Sequence, residues 1–310
     1  MLLALLLAAW AALLQKAECD GWKDFCEIPS EFDMVVCCDS QTETSLSPEC
    51  LPRLFNASRS GTRICQWYLR TKDICERSKG RIKWGIIDVP AIKLWREKPD
   101  SAPNFGMAKS LAPLHFLHLR ENTVPLYSLA GDFCREIWRG KSRQLLRHIL
   151  LGESYTDSIR GGFAIYADRG FIEHADYVRQ RMDVQAEKVI EAECLQRDSG
   201  DPPFVALRWI DAIVGLYREA GAKVVLIQTP VHMHLTSQVA DACAMADASI
   251  EKFAAERDVP IFNYRDMPFA VNEWKDGNHL NERGARRLTL RLKADIDRLE
   301  GVAGAARRIM

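Results

Sequence analysis

The sequence predicts an α/β protein: a doubly wound, flavodoxin-like sheet of five parallel strands, with helices on both faces and a large, mostly helical insertion. Two observations indicate this fold. Strands and helices alternate along both ends of the chain, over about 32–89 and 204–299. The strands are nearly continuous apolar runs, which is typical of parallel strands that helices cover on both faces. With 310 residues, the chain is long enough to bury a large core of this kind.

The first end of the chain predicts three strands and one long helix. They are expected as strands at 32–38, 54–56 and 82–89 and as a helix at about 62–78. Residues 39–43 are expected to form a polar loop after the first strand. Ser47-Pro48 has the pattern of a helix start, with proline at the first helical position. A turn that ends at Gly61 follows the second strand.

The second end predicts two further strands and three helices. They are expected as helices at about 204–220, 237–257 and 282–299 and as strands at 223–227 and 259–264. One face of the first helix carries apolar residues at helical spacing, namely Leu207, Ile210, Ile213, Val214 and Tyr217. Gly221 suits the C-cap of that helix, and Asn281 suits the N-cap of the last one.

The middle of the chain is predicted to be an insertion. Residues 91–203 are too many for a single crossover between strands, so they are expected to form an inserted cap. The remainder of 21–310 is then a single α/β domain that carries this cap.

The N-terminal residues 1–20 are expected to be a hydrophobic anchor or signal segment. The apolar run at 1–14 is shorter than the roughly 20 residues of a membrane span, and it lacks a positively charged n-region. It fits either an anchor or signal that begins further upstream, or a buried or interfacial helix. Membrane attachment through residues 1–14 or export is favoured, so we expect the protein in the cell envelope rather than in the cytoplasm.

Charge and cysteine spacing exclude several classes of function. The 42 basic and 42 acidic residues balance, which argues against a nucleic-acid partner. The ten cysteines show no zinc-ligand spacing, and most are expected to be small buried hydrophobes. His232 and His234 stand two residues apart but lack nearby cysteine or acidic partners. No metal ion or cofactor is therefore expected, and the pattern makes no prediction about oligomeric state.

Polar residues follow the predicted strands where a parallel sheet binds its ligands, at the carboxyl edge. Ser40 follows the first strand and Gly61 the second, whereas Asp276 and His279 follow the fifth. An aspartate three residues before a histidine can hold its ring, and the histidine can then act as a general base toward a serine. The sequence therefore predicts that Ser40 and His279 meet at one site.

These blocks resemble those of the SGNH (GDSL-type) hydrolase superfamily. The strand that ends at Asp39-Ser40 is similar to the Gly-Asp-Ser block, with Cys38 in place of glycine. Residues 56–61 match the block that contributes a glycine, and Asp276 to His279, with the following 280–285, match the last block. In the third block, Gly-x-Asn-Asp, Ile87 stands where the asparagine is expected. In this degenerate third block, the sequence resembles the branch of the superfamily that includes cell-envelope proteins of alginate O-acetylation and lipoteichoic-acid D-alanylation.

The resemblance implies a catalytic triad of Ser40, His279 and Asp276 that works through an acyl-serine intermediate. It implies an oxyanion hole made by the backbone N–H groups of Ser40 and Gly61. Three residues at the end of the fourth strand are candidates for contacting the substrate or replacing the donor missing at Ile87, namely Gln228, Thr229 and His232.

Three functions remain open on this basis. The first is an esterase or deacylase whose substrate is an acylated small molecule or carbohydrate. The second is a cell-envelope polysaccharide O-acyltransferase with the same covalent step. The third is a catalytically weak binding or assembly protein that uses the same fold.

Overall fold

The computed structural model describes residues 28–58, 62, 64–78, 80–95, 159–160, 163–164, 182–184, 186–190, 205–276 and 278–309. The chain divides into two compact units, residues 1–29 with 100–159 and residues 30–99 with 160–310. The first unit lies almost entirely outside the described residues. The second unit holds the sheet, the helices around it and the predicted catalytic residues.

Five strands form one sheet in which every pairing is parallel. They are β1 (Met34–Val36), β2 (Leu54–Asn56), β3 (Trp84–Asp88), β6 (Lys223–Gln228) and β7 (Ile261–Asn263). Their order is β2-β1-β3-β6-β7, which is the flavodoxin-like order. The predicted fold class is therefore confirmed. Two further short strands, β4 (Ile159–Arg160) and β5 (Phe163–Ala164), form a separate two-stranded sheet.

Seven α-helices with defined bounds accompany these strands in the described part of the chain, besides helical residues at 182–184 and 186–190 and a short 3-10 helix (Val271–Glu273). They are α1 (Ser40–Ser45), α2 (Ile64–Ser78), α3 (Ala91–Leu94), α4 (Val205–Glu219), α5 (Met233–Gln238), α6 (Ala240–Glu256) and α7 (Glu282–Ile309). Helix α2 packs against α4, and α1 packs against α7. From β1 the chain moves toward one edge of the sheet to form β2, and after β2 it moves toward the opposite edge to form β3, β6 and β7 in turn. Right-handed crossovers then put α1 on one face of the sheet and α2 and α4 on the other.

The centre of the sheet is apolar because helices cover both of its faces. The side chains of β1 and the middle of β3 are buried, and the predicted apolar stripe of α4 faces this core. Tyr217 from that stripe lies directly on β3 at Gly85, where a Cβ atom would stand 2.3 Å from the tyrosine ring. Gly85 is therefore required by packing between α4 and the sheet.

Several predicted boundaries differ from the structure. The polar loop expected at 39–43 is wrong, because Asp39 caps a short helix that begins at Ser40. Ser47-Pro48 leads into a turn instead of a helix. The helix expected at 237–257 is two helices, α5 and α6, and the last helix continues to Ile309. Gly221 has φ +79°, and Asn281 accepts from the backbone of α7, so both predicted caps are confirmed.

Three predicted features fall on residues outside the described ranges. They are the N-terminal anchor or signal at 1–20, most of the insertion at 91–203, and Gly61. Within the described part of the chain, no helix is both long and apolar enough to span a membrane.

Candidate active site

The carboxylate of Asp276 holds the imidazole ring of His279 from one side. His279 Nδ1 lies 2.8 Å from Asp276 Oδ1 and 2.9 Å from Oδ2. The backbone N–H groups of Asn278 and His279 also donate to Oδ1, at 3.0 and 2.9 Å. Because an ionised carboxylate can only accept hydrogen bonds, Nδ1 carries the proton. In the neutral ring, Nε2 is then the basic nitrogen.

Asp276 is held in its ionised form by its neighbours. Burial by itself raises the pKa of this carboxyl. The hydrogen bond and charge of His279, the N–H of Asn278 and the Lys275 ammonium outweigh burial, so the pKa of Asp276 lies below its ordinary value. The carboxylate is thus available to orient His279 over the whole neutral range.

The other ring nitrogen of His279 is uncommitted. Nε2 is buried and has no hydrogen-bond partner among the described residues. No hydrogen bond joins it to the Ser40 hydroxyl. The residues next to Ser40 and His279 are joined instead, because the Gln41 side chain donates to the carbonyl of Asn278 at 3.3 Å. A buried basic nitrogen without a partner is typical of a site that completes its hydrogen bonds with a reacting group.

Ser40 is the first residue of α1 and is half-buried. Its turn is fixed by Asp39, whose Oδ1 accepts from the backbone N–H of Gln41 at 3.1 Å and whose Oδ2 pairs with the Lys93 ammonium. Lys93 comes from α3 and also lies over the ring of Trp67, 5.9 Å from its centroid. The strand-to-helix turn that presents Ser40 is therefore held by a charge pair with little exposure to solvent.

Helix α1 is held at its other end by a buried amide. Asn56, at the end of β2, is fully buried and donates from Nδ2 to the carbonyls of Thr42 and Leu46, at 3.0 and 2.8 Å. Its Oδ1 accepts from the backbone N–H of Ser58 at 3.1 Å. These bonds give the Leu46 carbonyl a partner and the Thr42 carbonyl a second one, in addition to the backbone N–H of Leu46.

The loop that carries Asp276 and His279 is held against the start of α7. Trp274 and Leu280 form an antiparallel bridge, and the backbone N–H of Lys275 donates to the carbonyl of His279 at 2.9 Å. Asn281 then caps α7 through Oδ1 and donates from Nδ2 to the carbonyl of Asn272 at 2.6 Å. The loop is thus closed at both ends, which restrains the position of the His279 ring.

Of the three candidate donors after β6, two are committed to other partners. Gln228 donates to Asp247 Oδ1 at 2.8 Å, and the Thr229 hydroxyl donates to Asp88 Oδ2 at 2.8 Å. His232 has a different arrangement. Its Nδ1 accepts from the backbone N–H of His234 at 3.2 Å, so in the neutral ring Nε2 carries the hydrogen.

The His232 ring lies edge-on to Trp274, with centroids 5.3 Å apart, which places it beside the loop of Asp276 and His279. Burial and the nearby His234 lower the pKa of His232, which favours the neutral ring. No described residue accepts a hydrogen bond from its Nε2. Its N–H group is therefore available to a ligand.

Ile87 and Gly61 are the remaining predicted site residues. The Ile87 side chain is buried and apolar, so it supplies no donor in place of the expected asparagine. Gly61, the second predicted oxyanion residue, lies outside the described residues. Among the residues that are described, no group of three or more histidine, cysteine or acidic side chains is arranged to hold a metal ion.

The sequence pattern assigned no role to several residues that shape this site, namely Gln41, Thr42, Asp88 and Lys93. Asp88 did carry a signal, because it interrupts the apolar run Ile86-Ile87-Asp88-Val89 at the end of a buried strand. A buried aspartate in that position must find donors. Only the structure identifies them as the hydroxyls of Thr42 and Thr229 and the backbone N–H of Thr229.

Comparison with known proteins gives structural similarities only. No protein-family model and no curated protein matches the sequence. A candidate acylhydrolase from Bacteroides fragilis is 12% identical, with a TM-score of 0.39, over 89% of this chain and 94% of its own. A candidate platelet activating factor from Streptococcus pneumonia is 11% identical, with a TM-score of 0.40, over 94% of this chain and 97% of its own.

A GDSL-like lipase from Bacteroides thetaiotaomicron is 13% identical, with a TM-score of 0.39, over 94% of this chain and 99% of its own. All three TM-scores lie below 0.5.

Proposed function

We propose that the protein is a serine-dependent ester hydrolase of the SGNH type, with Ser40 as nucleophile, His279 as general base and Asp276 as the residue that orients the base. One observation carries the proposal. Asp276 holds His279 through Nδ1 and leaves Nε2 buried without a partner, in a loop joined to the residue after Ser40. A base held and protonated in this way is what a serine nucleophile requires, and the proposal is that Nε2 and Ser40 Oγ come within hydrogen-bond distance in the complex with substrate.

In the first half of the reaction, His279 Nε2 takes the Ser40 proton while Oγ attacks the ester carbonyl. The carbonyl oxygen becomes an oxyanion that accepts from the backbone N–H groups of Ser40 and Gly61. Collapse of this intermediate breaks the bond to the alcohol, and His279 gives its proton to the leaving oxygen. Water then attacks the acyl-serine in the same way and releases the acid.

His232 is the candidate for a further donor to the substrate or the oxyanion. Gln228 and Thr229 donate to the carboxylates of Asp247 and Asp88, whereas the Nε2–H group of His232 is uncommitted. The contact with Trp274 places this ring beside the loop of His279. A neutral N–H donor can stabilise developing negative charge without bringing a formal charge into the site.

The substrate class that fits the proposal is an acylated small molecule or carbohydrate. Both alternatives, hydrolysis and transfer to a sugar hydroxyl, share the acyl-serine step. They differ only in whether water or an alcohol takes the acyl group, so they are separated by the product and not by the nucleophile.

The proposal is tested with the full-length chain and a fluorophosphonate probe. The wild type should be labelled at Ser40, located by mass spectrometry of the peptide, and should hydrolyse p-nitrophenyl acetate. Ser40→Ala should lose both the labelling and the turnover, whereas Ser249→Ala, which changes a partly exposed serine of helix α6, should keep them. Absence of labelling and turnover in folded wild type would overturn the proposal. Acetyl transfer to an added polysaccharide would identify a transferase.

A further inference from the structure

Asp88 is a fully buried carboxyl group to which the proposed reaction gives no role. It ends β3 and accepts three hydrogen bonds, from Thr42 Oγ1 at 2.6 Å, from Thr229 Oγ1 at 2.8 Å and from the Thr229 backbone N–H at 3.0 Å. Its own backbone N–H donates to Cys38 Sγ at 3.2 Å. One residue thus contacts the segments that follow β1 and β6 as well as helix α1.

The contact with Thr42 bears directly on Ser40. Thr42 lies two residues after Ser40 in a helix of six residues, and its side chain is fully buried. At the switch point of a doubly wound sheet, the segments after β1 and β3 diverge to opposite faces. The Asp88–Thr42 bond joins these diverging segments beside Ser40, so it restrains the position from which Ser40 attacks.

We propose that Asp88 is a positioning residue, which holds Ser40 in its reactive position through the hydroxyl of Thr42. The inference rests on the proposed role of Ser40 as nucleophile. It adds that the ionised carboxylate is the form that does this, because it accepts all three hydrogen bonds and has no proton to place. Both hydroxyls bond to Oδ2 and the Thr229 N–H bonds to Oδ1. A proton on Oδ1 would oppose the N–H group, and a proton on Oδ2 would turn one of the hydroxyls into an acceptor.

The surroundings of Asp88 contain few charges. Helix α1 and the segment after β6 face it with the hydroxyls of Thr42 and Thr229, and the segment after β1 faces it with the Cys38 thiol. Lys93 of α3 acts electrostatically on that thiol. Burial, only partly offset by the hydrogen bonds from Thr42 and Thr229, raises the pKa of Asp88 to about 6. The group therefore changes its charge within the pH range in which the enzyme can be assayed.

The test measures the rate at which the fluorophosphonate probe labels Ser40, in the wild type and in Asp88→Asn, across pH. Asparagine resembles the protonated carboxyl in shape and charge. The ratio of wild-type to variant rates should be about 10- to 100-fold above pH 7, the cost of a small misplacement, and should approach one below about pH 5. Any pH effect that the two proteins share cancels in the ratio.

The route through Thr42 is tested by a double-mutant cycle. Thr42→Val should lose about as much labelling rate as Asp88→Asn, and the double variant should lose no more than about twofold beyond either. Thr229→Val, which keeps the backbone bond to Asp88, should lose less than Thr42→Val. Thermal melting of each variant ensures that rates are compared between folded proteins.

Three results would overturn the inference. A rate ratio of one at every pH would mean that Asp88 has no part in the reaction. A loss that does not change with pH would mean a structural role independent of charge. Independent, multiplying losses in Asp88→Asn and Thr42→Val would exclude the route through Thr42. If the wild type itself is not labelled, the proposed function fails and this inference fails with it.

Discussion

The two nitrogens of the His279 ring differ in protonation, and Asp276 determines which of them carries the hydrogen. A carboxylate at Nδ1 fixes the tautomer with a basic Nε2. The same carboxylate also accepts from two backbone N–H groups, so the ring and its loop are held by one residue. Orientation and protonation of the proposed base therefore depend on a single side chain.

Replacement of Asp276 by asparagine should reverse this tautomer. The amide NH₂ favours Nδ1 as acceptor, which moves the hydrogen to Nε2 and removes the general base. We expect kcat for p-nitrophenyl acetate to fall by about 10³- to 10⁴-fold with little change in melting temperature. Asp266→Asn, at an exposed carboxylate, is the control and should keep the wild-type kcat. A kcat for Asp276→Asn within about threefold of the wild type would contradict the assigned role.

His232 offers a sharper test, because its two nitrogens can be removed separately. Asparagine places its Oδ1 near the position of Nδ1 and can keep the bond to the His234 N–H, but it has no counterpart of Nε2–H. Glutamine can place an N–H near Nε2. His232→Asn should lower kcat by about 10²-fold, and His232→Gln should recover part of the loss.

The matched control for His232 is His234→Asn, which removes a ring that contacts Asp183 near the surface. It should leave kcat unchanged. Equal losses in the asparagine and glutamine variants of His232 would show that the ring acts through its contact with Trp274, and not as a donor.

At the scale of elements, the long strands and helices follow from local pattern, whereas α1 does not. Its sequence, Ser-Gln-Thr-Glu-Thr-Ser, has weak helix formers and no apolar stripe, so it resembles a polar loop. Contacts from distant residues stabilise the helix, namely Asn56 and Asp88. Thr289 accepts from the backbone N–H of Ser47 just after the helix ends. A pattern read along the chain cannot include such contacts, which is why the sequence predicts a loop where the helix that carries Ser40 forms.

Packing between β3 and α4 predicts opposite effects for two glycine substitutions. Gly85→Ala would place a Cβ 2.3 Å from the Tyr217 ring, whereas the Cβ of Gly215→Ala in α4 would have no atom within 4 Å. We expect Gly85→Ala to lower the free energy of unfolding by about 1–3 kcal/mol. Gly215→Ala should raise it by roughly 0.5–1 kcal/mol.

Urea unfolding of both variants checks this expectation. Equal stability of the two variants would mean that Tyr217 can move aside from β3 without cost. The result would then remove the packing reason for glycine at position 85, within the block that resembles Gly-x-Asn-Asp.

For the whole molecule, the parallel sheet explains why residues far apart in the sequence were predicted to share one site. Parallel strands present their carboxyl ends at one edge, so the segments after β1, β3, β6 and β7 must converge there. This rule predicted the edge that carries Ser40, Thr229 and Asp276. It did not predict which side chains would bond to one another, because that depends on rotamers and depth of burial.

The buried Asp88 also affects the stability of the whole molecule, with a sign opposite to that of most carboxylates. Its pKa is raised in the folded protein, to about 6 from the ordinary aspartate value of 3.8. Folding therefore favours the protonated form. The contribution of this group to stability is fully present at pH values below 3.8 and is lost as the pH rises through about 6. Asp33, Asp211 and Asp276 act in the opposite direction, since their pKa values are lowered.

The difference in unfolding free energy between the wild type and Asp88→Asn isolates this effect, because the other carboxylates are common to both proteins. Asparagine cannot ionise, so the variant should gain about 3 kcal/mol on the wild type between about pH 4 and pH 7. Urea unfolding across that range measures the gain. A flat difference for Asp88→Asn would mean that Asp88 ionises as readily when folded as when unfolded. Its three hydrogen bonds would then fully offset its burial.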